Sequence, residues 1–151
     1  MATWGEFESA APELASFGAS RLLMAPAFLA TVRHSGLPRV HPVTPIIGDG
    51  HLFLFMEPRS PKVQDLDGQG SYAMHNGVSD TSGTGGEFWL TGRGERVEDV
   101  EVREVASIAS RYSPADRYVL FELHVTEARC NGYGDVELPE PQRWRDHPGT
   151  D

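Results

Sequence analysis

The chain has 151 residues, of which 13 are basic and 22 acidic, giving a formal net charge of −9. This length suits one domain of ordinary size and leaves too little chain for two separate hydrophobic cores. The negative field argues against nucleic acid and anionic membrane surfaces as partners, because both are polyanions.

Cysteine content and hydropathy bear on location. Cys130 is the only cysteine, so the chain cannot form an intramolecular disulfide. No apolar run approaches the roughly 18 residues that a membrane helix needs. The first residues also lack the basic and apolar regions of a signal peptide. We therefore expect a cytoplasmic protein.

The first predicted elements are helical. Thr3 and Glu6 have the spacing of a capping box, and apolar residues follow them at helical intervals. Pro12 interrupts this pattern, because proline inside a helix removes a hydrogen bond and clashes with the preceding turn. Residues 1–24 are therefore predicted to form a kinked helix or two short helices.

Two strands are predicted next, at 27–34 and 38–47, and the Ser35-Gly36 turn joins them. Pro42 and Pro45 fall inside the second strand, where they cannot donate to a ladder. This strand is therefore predicted to be bulged or to lie at a sheet edge.

A short helix is predicted after the apolar strand at 51–56. Ser60 stands at its N-cap and Pro61 at its first position, where the missing N–H costs nothing, and it ends near Gly68. The remaining predicted elements are strands at 71–76, 87–97 and 117–128, a helix at 100–112, a flexible loop at 77–86 and an extended tail at 131–151. Together they predict a single α+β domain over 1–151, in which six mainly antiparallel strands close into a small β-barrel flanked by helices.

Common catalytic motifs are missing from the chain. It contains no C-x-x-C, H-E-x-x-H or G-x-S-x-G pattern and no P-loop. Its six histidines show no metal-ligand spacing, so no metal site is predicted. No side chain is a convincing general acid or base, and the catalytic residues stay unknown.

The segment from Arg39 to Leu66 is the exception. A strand carrying Arg39 is followed by a strand that runs into the helix start at Ser60-Pro61-Lys62. The free N–H groups of a helix N-terminus, with a lysine in the first turn and an arginine nearby, suit a phosphate monoester. The alternative is that Arg59 and Lys62 are solvated surface charges.

Four segments from this region onward occur in a consistent order. They are A-T-V-R-H-S-G-L-P-R-V-H-P-V at 30–43, H-L-F-L-F-M at 51–56, S-P-K-V-Q-D-L at 60–66 and E-F-W-L-T-G-R-G-E-R-V at 87–97. In this order they resemble the pyridoxamine 5′-phosphate oxidase-like family, the flavin-binding split barrels. The resemblance implies a split barrel that binds flavin mononucleotide (FMN).

The resemblance also implies a set of cofactor-binding positions. These are Arg39, Val40, His41, Pro42, Val43, Thr44, Phe55, Met56, Arg59, Ser60, Lys62 and Glu87. Arg39 and Lys62 are expected to contact the phosphate, the 40–44 backbone to line the isoalloxazine ring, and the end of the 51–56 strand to lie beside the ribityl chain.

Two of these positions depart from the family pattern. Pro61 replaces an arginine often found before the lysine, which weakens the phosphate site unless Arg59 compensates. Glu87 stands where a glutamine contacts the cofactor from the partner subunit, and a carboxylate near the flavin phosphate is unfavourable. The tail carries Arg143, Arg145 and His147 outside the usual strand setting of the oxidases' Arg-x-His pair, so vitamin B6 oxidation is not expected.

Three functions follow from this resemblance. The first is a homodimeric FMN-dependent oxidoreductase acting on an unknown small organic substrate, with the flavin carrying the chemistry. The second is a deazaflavin-dependent reductase, although a longer anionic tail would need more cations. The third is a non-catalytic flavin- or haem-binding protein, with His41 or His75 as the iron ligand.

Aromatic residues support the homodimer. Phe88 and Trp89 are adjacent on one strand and therefore point to opposite faces, so only one of them fills the barrel. Trp144 has no evident place in so small a barrel, and aromatic side chains of this size are enriched at interfaces. The alternative is that Trp89 or Trp144 packs under the N-terminal helix beside Trp4.

Overall fold

The computed structural model describes residues 1–147, which form four α-helices and eight β-strands. In chain order these elements are α1 (Trp4–Ala10), α2 (Pro12–Leu22), β1 (Ala27–Val32), β2 (Pro38–Val43), β3 (Ile46–Gly48), β4 (His51–Met56), α3 (Pro61–Gly68), β5 (Ser71–His75), β6 (Glu87–Arg96), α4 (Val100–Ala109), β7 (Val119–Asn131) and β8 (Arg143–Arg145). No helix between residues 1 and 147 is long and apolar enough to cross a membrane.

The strands form one antiparallel sheet in the order β2-β1-β5-β6-β7-β4-β3, with β8 paired to β7. Its two edge strands, β2 and β3, are consecutive in the chain and separated only by Thr44 and Pro45. Two residues span only about 7 Å, so the two edges must meet there. The sheet is therefore curled into a half-barrel, and the predicted α+β barrel is confirmed.

The predicted strand at 38–47 is the main difference in the first half of the chain. It is divided into β2 and β3 at Thr44-Pro45, because Pro45 lacks the N–H that a continuous ladder needs. The prediction that it lies at a sheet edge is confirmed, since β2 pairs only with β1 in the sheet order. This division and the additional strand β8 raise the strand count from the predicted six to eight.

The N-terminal segment forms two helices, as predicted, because Pro12 begins the second one. The capping box is present: the Glu6 N–H donates to Thr3 Oγ1 at 3.1 Å, and the Thr3 N–H donates to Glu6 Oε2 at 2.8 Å. α1 buries Trp4 and Phe7 against the barrel. α1 packs on β4 and β7, and α2 packs on β6 and β7.

Trp144 packs beside these helices. Its ring centroid lies 5.1 Å from that of Phe7, and its half-buried side chain contacts the main core. The alternative placement under the N-terminal helices is therefore confirmed, and Trp144 gives no support for an interface. The tail that holds it was predicted to be extended, but Arg143–Arg145 forms β8, and residues 148–151 of that tail lie outside the described residues.

β4 is buried on both faces, which explains its unbroken apolar sequence. Leu52, Leu54 and Met56 contribute to the main core inside the barrel. Phe53 and Phe55 point the other way into a second cluster beneath α4. This double burial fixes the end of β4, where the candidate site lies.

A candidate cofactor groove

A groove of about 390 Å³ lies where β2 ends, β4 ends and α3 begins. It is lined by Pro42, Val43, Thr44, Phe55, Met56, Glu57, Ser60, Lys62, Tyr112 and Tyr118. Seven of these ten residues belong to the predicted cofactor site. The fold therefore brings together two predicted segments, at 42–44 and 55–62, that are separated by a hairpin in the sequence.

Lys62 provides the positive charge of the groove. It is half-buried in the first turn of α3, with Ser60 and Pro61 in their predicted cap and first-turn positions. Its ammonium donates to Ser60 Oγ at 2.9 Å, and burial lowers the pKa of Lys62. In the described part of the chain this side chain bonds to a neutral hydroxyl and not to a carboxylate. An anion in the groove would therefore compensate its charge.

Arg39 lies next to the groove and is held by α3. Its Nε donates to Asp65 Oδ2 at 2.9 Å, and Thr31 Oγ1 donates to the same oxygen at 2.7 Å. Burial raises the pKa of the Asp65 carboxyl, but the hydrogen bonds from Thr31 and Arg39 outweigh it and leave the pKa below its ordinary value. The terminal nitrogens of Arg39 are outside this contact. Its contact with a phosphate stays a prediction.

His41 is half-buried on β2 between these two cations. Its Nε2 is buried and has no hydrogen-bond partner among residues 1–147. Burial lowers the pKa of His41, and the positive charges of Lys62 and Arg39 lower it further. Both effects favour the neutral imidazole, whose buried Nε2 is left without a partner among residues 1–147.

Glu87 and His75 form a separate network that does not line the groove. Glu87 Oε2 contacts His75 Nε2 at 2.6 Å, while Asn131 Nδ2 and the Tyr133 hydroxyl donate to Oε1 at 2.9 Å each. Hydrogen bonds from His75 and Asn131 lower the pKa of Glu87 despite partial burial. The Gly77 N–H donates to His75 Nδ1 at 2.8 Å, so both nitrogens of His75 are engaged. Iron coordination by His75 would break one of these contacts.

The sheet register places this network near the β2 rim of the groove and far from its β4 rim. His75 pairs with Phe28, and Phe28 pairs with Pro42, which lines the groove. On the other side, Phe55 pairs with Leu120 and Glu87 pairs with Asn131, which lies eleven residues or roughly 36 Å further along β7. Arg145 pairs with Glu127, seven residues from Leu120, or roughly 23 Å along the strand. Neither Glu87 nor Arg145 lines the groove.

Three groove residues were not predicted: Glu57, Tyr112 and Tyr118. Tyr118 precedes β7, and Tyr112 follows the end of α4, which was predicted to extend to residue 112. Burial raises the pKa of Tyr112. Tyr118 reaches the groove because β7 pairs with β4, and that pairing has no local sequence signal. Arg59, in contrast, was predicted but is exposed and does not line the groove.

Within residues 1–147, no three histidine, cysteine or carboxylate side chains converge as a metal ion would require.

No protein-family model and no curated protein matches this sequence. Solved structures do match its fold. A haem-binding protein from Mycobacterium smegmatis has a TM-score of 0.61 and 18% identity, over 80% of this chain and 55% of that one. The haem storage protein HutZ from Vibrio cholerae has a TM-score of 0.61 and 16% identity, over 82% of this chain and 95% of that one.

A candidate pyridoxamine 5′-phosphate oxidase from Lactobacillus delbrueckii has a TM-score of 0.60 and 17% identity, over 74% of this chain and 88% of that one. This chain therefore spans only about half of the Mycobacterium smegmatis protein but most of the other two. At 16–18% identity the likeness concerns the fold alone. The chain has the split-barrel fold that its sequence resemblance predicted.

Proposed function

We propose that the groove binds FMN and that the protein is an FMN-dependent oxidoreductase for a small organic substrate. The observation that carries this proposal is the meeting of the 42–44 segment, Phe55 and Lys62 in one groove. Lys62 gives the groove a positive end, while Pro42, Phe55 and Met56 give it an apolar wall. FMN has the matching polarity, with a phosphate at one end and a flat ring system at the other.

The residues of the groove suit the parts of this cofactor. Lys62 would bind the phosphate, assisted by the start of α3. Thr44 lies between β2 and β3 and outside both ladders, so its backbone groups are not consumed by strand pairing. They would bind the polar edge of the ring. The bound flavin would supply hydride or electron transfer, and the chain would supply position and exclusion of water.

A homodimer is part of this proposal. The outer face of the sheet carries Phe28, which is 46% exposed, and Val40, which is 65% exposed. Between Val40 and β6 the same face has only small side chains, from Ala30 and Ala73. Flat apolar faces of this kind mark interaction sites. A second copy on this face would lie against β2, which forms one wall of each groove.

Haem binding is the second candidate, and His41 favours it. An unpartnered, neutral imidazole nitrogen is a suitable iron ligand. Two proteins of similar fold are named for haem binding or storage. The two candidates depend on different residues: FMN binding depends on Lys62, whereas haem binding depends on His41.

The deciding experiment starts with the absorbance spectrum and mass of any small molecule that co-purifies. The protein is then titrated with FMN, riboflavin and haemin. Preference for FMN over riboflavin, lost in Lys62→Met and kept in Arg59→Met, supports the flavin proposal. Equal affinity for FMN and riboflavin contradicts it. A Soret band that shifts on haemin addition and disappears in His41→Ala supports haem instead.

A further inference from the structure

A second and larger cavity, of about 680 Å³, lies on the other side of Pro42 from the groove. Its walls are mostly carbon, from Met24, Pro26, Phe28 and Val78. Cavities of roughly 300–1,000 Å³ with apolar walls and a few fixed polar groups are typical of small-molecule sites. Cofactor binding in the groove does not use this space, although Phe28 also lies on the face proposed for the homodimer.

The cavity contains one fixed cation, Arg21 of α2. Its Nε donates to the Gly85 carbonyl at 2.9 Å, and its Nη1 donates to Ser20 Oγ at 2.9 Å. The guanidinium carbon lies 3.4 Å from the centre of the Phe17 ring. These contacts hold the guanidinium in place, yet in the described part of the chain none of them is to a carboxylate. Burial lowers the pKa of Arg21, as expected for a cation without a counter-ion.

The loop at 77–86, which carries Val78, forms another part of the cavity wall. This loop was predicted to be flexible and without anchors, but Arg21 binds its Gly85 carbonyl and Asp80 Oδ1 accepts from the N–H groups of Ser82 and Thr84. At its start, Asn76 Oδ1 accepts from the Phe88 N–H at 2.9 Å, which leaves the Asn76 side-chain NH₂ as a donor. The cavity thus combines an apolar wall with two kinds of donor, Arg21 and Asn76.

We infer that this cavity is a second binding site, for a flat apolar molecule that carries a single anionic group. The apolar walls take the body of the molecule, and Arg21 takes the anion as its missing counter-ion. The site is separate from the groove, which shares only Pro42 with it, and it does not depend on what the groove binds. In an oxidoreductase it would lie where a substrate meets the cofactor.

Two fluorescent probes test this inference on the full-length protein. 8-Anilinonaphthalene-1-sulfonate carries one sulfonate, and N-phenyl-1-naphthylamine has the same aromatic body without it. We expect saturable binding of the anionic probe at one site per chain and an affinity about tenfold higher than for the neutral probe, the effect of one charge-assisted hydrogen bond. Equal affinities, or binding that does not saturate, would overturn the inference.

Variants then separate the two parts of the site. Arg21→Met should remove the preference for the anionic probe and keep binding of the neutral one, whereas the matched control Arg93→Met, an exposed arginine on β6, should change neither. Val78→Trp should fill the cavity and weaken both probes at least tenfold. Circular dichroism verifies that each variant is folded. Unchanged binding in both Arg21→Met and Val78→Trp would place the probe elsewhere and contradict the inference.

Competition distinguishes this site from the groove and tests the chemistry of its ligand. Saturating FMN should leave the anionic probe bound. Displacement of the probe by FMN would make the cavity part of the cofactor site and overturn the claim of a second site. 2-Naphthoate is a flat apolar molecule with one carboxylate, and displacement of the probe by 2-naphthoate supports the inference. Failure of 2-naphthoate to displace the probe would contradict it.

Discussion

The Arg39 guanidinium donates to the Asp65 carboxylate at 2.9 Å and thereby ties the edge strand β2 to α3. Asp65 is 6% exposed, and Thr31 donates to the same oxygen. The pair holds two walls of the groove at a fixed separation. Its contribution to stability is open to direct measurement.

Asp65→Asn should destabilise the protein by roughly 2–4 kcal/mol, because it leaves a partly buried guanidinium without its carboxylate. Urea denaturation gives the free energy of unfolding. Asp67→Asn is the control, since Asp67 lies on the same helix and pairs with Arg96 at the surface. An exposed pair contributes only about 0–1 kcal/mol. Similar decreases in the free energy of unfolding in the two variants would show that the Arg39–Asp65 pair stabilises the protein no more than an exposed pair does.

His41 should make stability depend on pH. Because burial and two cations lower its pKa in the folded protein, the unfolded chain binds a proton first as pH falls below 6.5. Stability should therefore be full above pH 6.5 and decrease as pH falls through 6.5 toward the folded pKa. The melting temperature of His41→Gln should fall less over this range than that of the wild type. His34→Gln, an exposed histidine, serves as control, and a slope unchanged in His41→Gln refutes the prediction.

Lys62→Met should weaken FMN binding roughly 10- to 100-fold, since one charge-assisted hydrogen bond to a phosphate contributes about 1.5–3 kcal/mol. Riboflavin lacks the phosphate, so its affinity should not change. Flavin fluorescence quenching measures both ligands. Arg59→Met, next to the groove but exposed, should bind FMN as the wild type does. An equal loss of FMN affinity in Arg59→Met and Lys62→Met would indicate that the phosphate binds on the solvent side of the first turn of α3.

Affinity for FMN should also fall at alkaline pH. Burial places the pKa of Lys62 below its ordinary 10.5, and above that lowered pKa the amine is neutral. Arginine stays charged in this range, so Lys62→Arg should bind FMN with little dependence on alkaline pH. Riboflavin titrations at the same pH values correct for ionisation of the flavin ring. A wild-type curve as flat as that of Lys62→Arg would show that Lys62 does not contact the phosphate.

The proposed dimer can be tested by light scattering. The wild type should have twice the chain mass of 16.6 kDa at micromolar concentration. Val40→Asp places a charge on the outer face, at the edge strand β2, and should give a monomer. Leu37→Asp is the control, because Leu37 is similarly exposed, at 59%, but lies in the β1–β2 turn. A monomeric wild type that binds FMN tightly would exclude a shared site.

Much of the fold was predictable because its signals are local. The capping box at Thr3, the break at Pro12 and the N-cap at Ser60 each depend on neighbouring residues, and each is confirmed. The packing of Trp144 on Phe7 was not predictable from a local signal, because it joins positions far apart in the chain. β8 was missed for the same reason: three residues form a strand only when β7 is there to pair with them.

The candidate site shows the same limit. The segment around Lys62 carried a sequence signal, since a lysine in the first turn of a helix has a definite electrostatic meaning. Asp65 had no such sequence signal, although it binds Arg39. An acidic residue in the middle of a helix is usually an exposed surface charge. Tyr118 became part of the groove through strand register, whereas Glu87 bonds to His75 and Asn131 and does not line the groove. These outcomes are set by tertiary pairing, which no local pattern encodes.

The separation of β2 and β3 by Thr44-Pro45 has a kinetic consequence. Within the described sheet these two strands pair with different neighbours, so no ladder spans the line where the barrel edges meet. Segments without such bonds open at lower free energy than the rest of a domain. A molecule bound across Pro42 and Thr44 would connect the two sheet edges and stabilise them against opening. Amide hydrogen exchange along β2 and β3 should then slow on binding, while exchange in β6 and β7 stays constant.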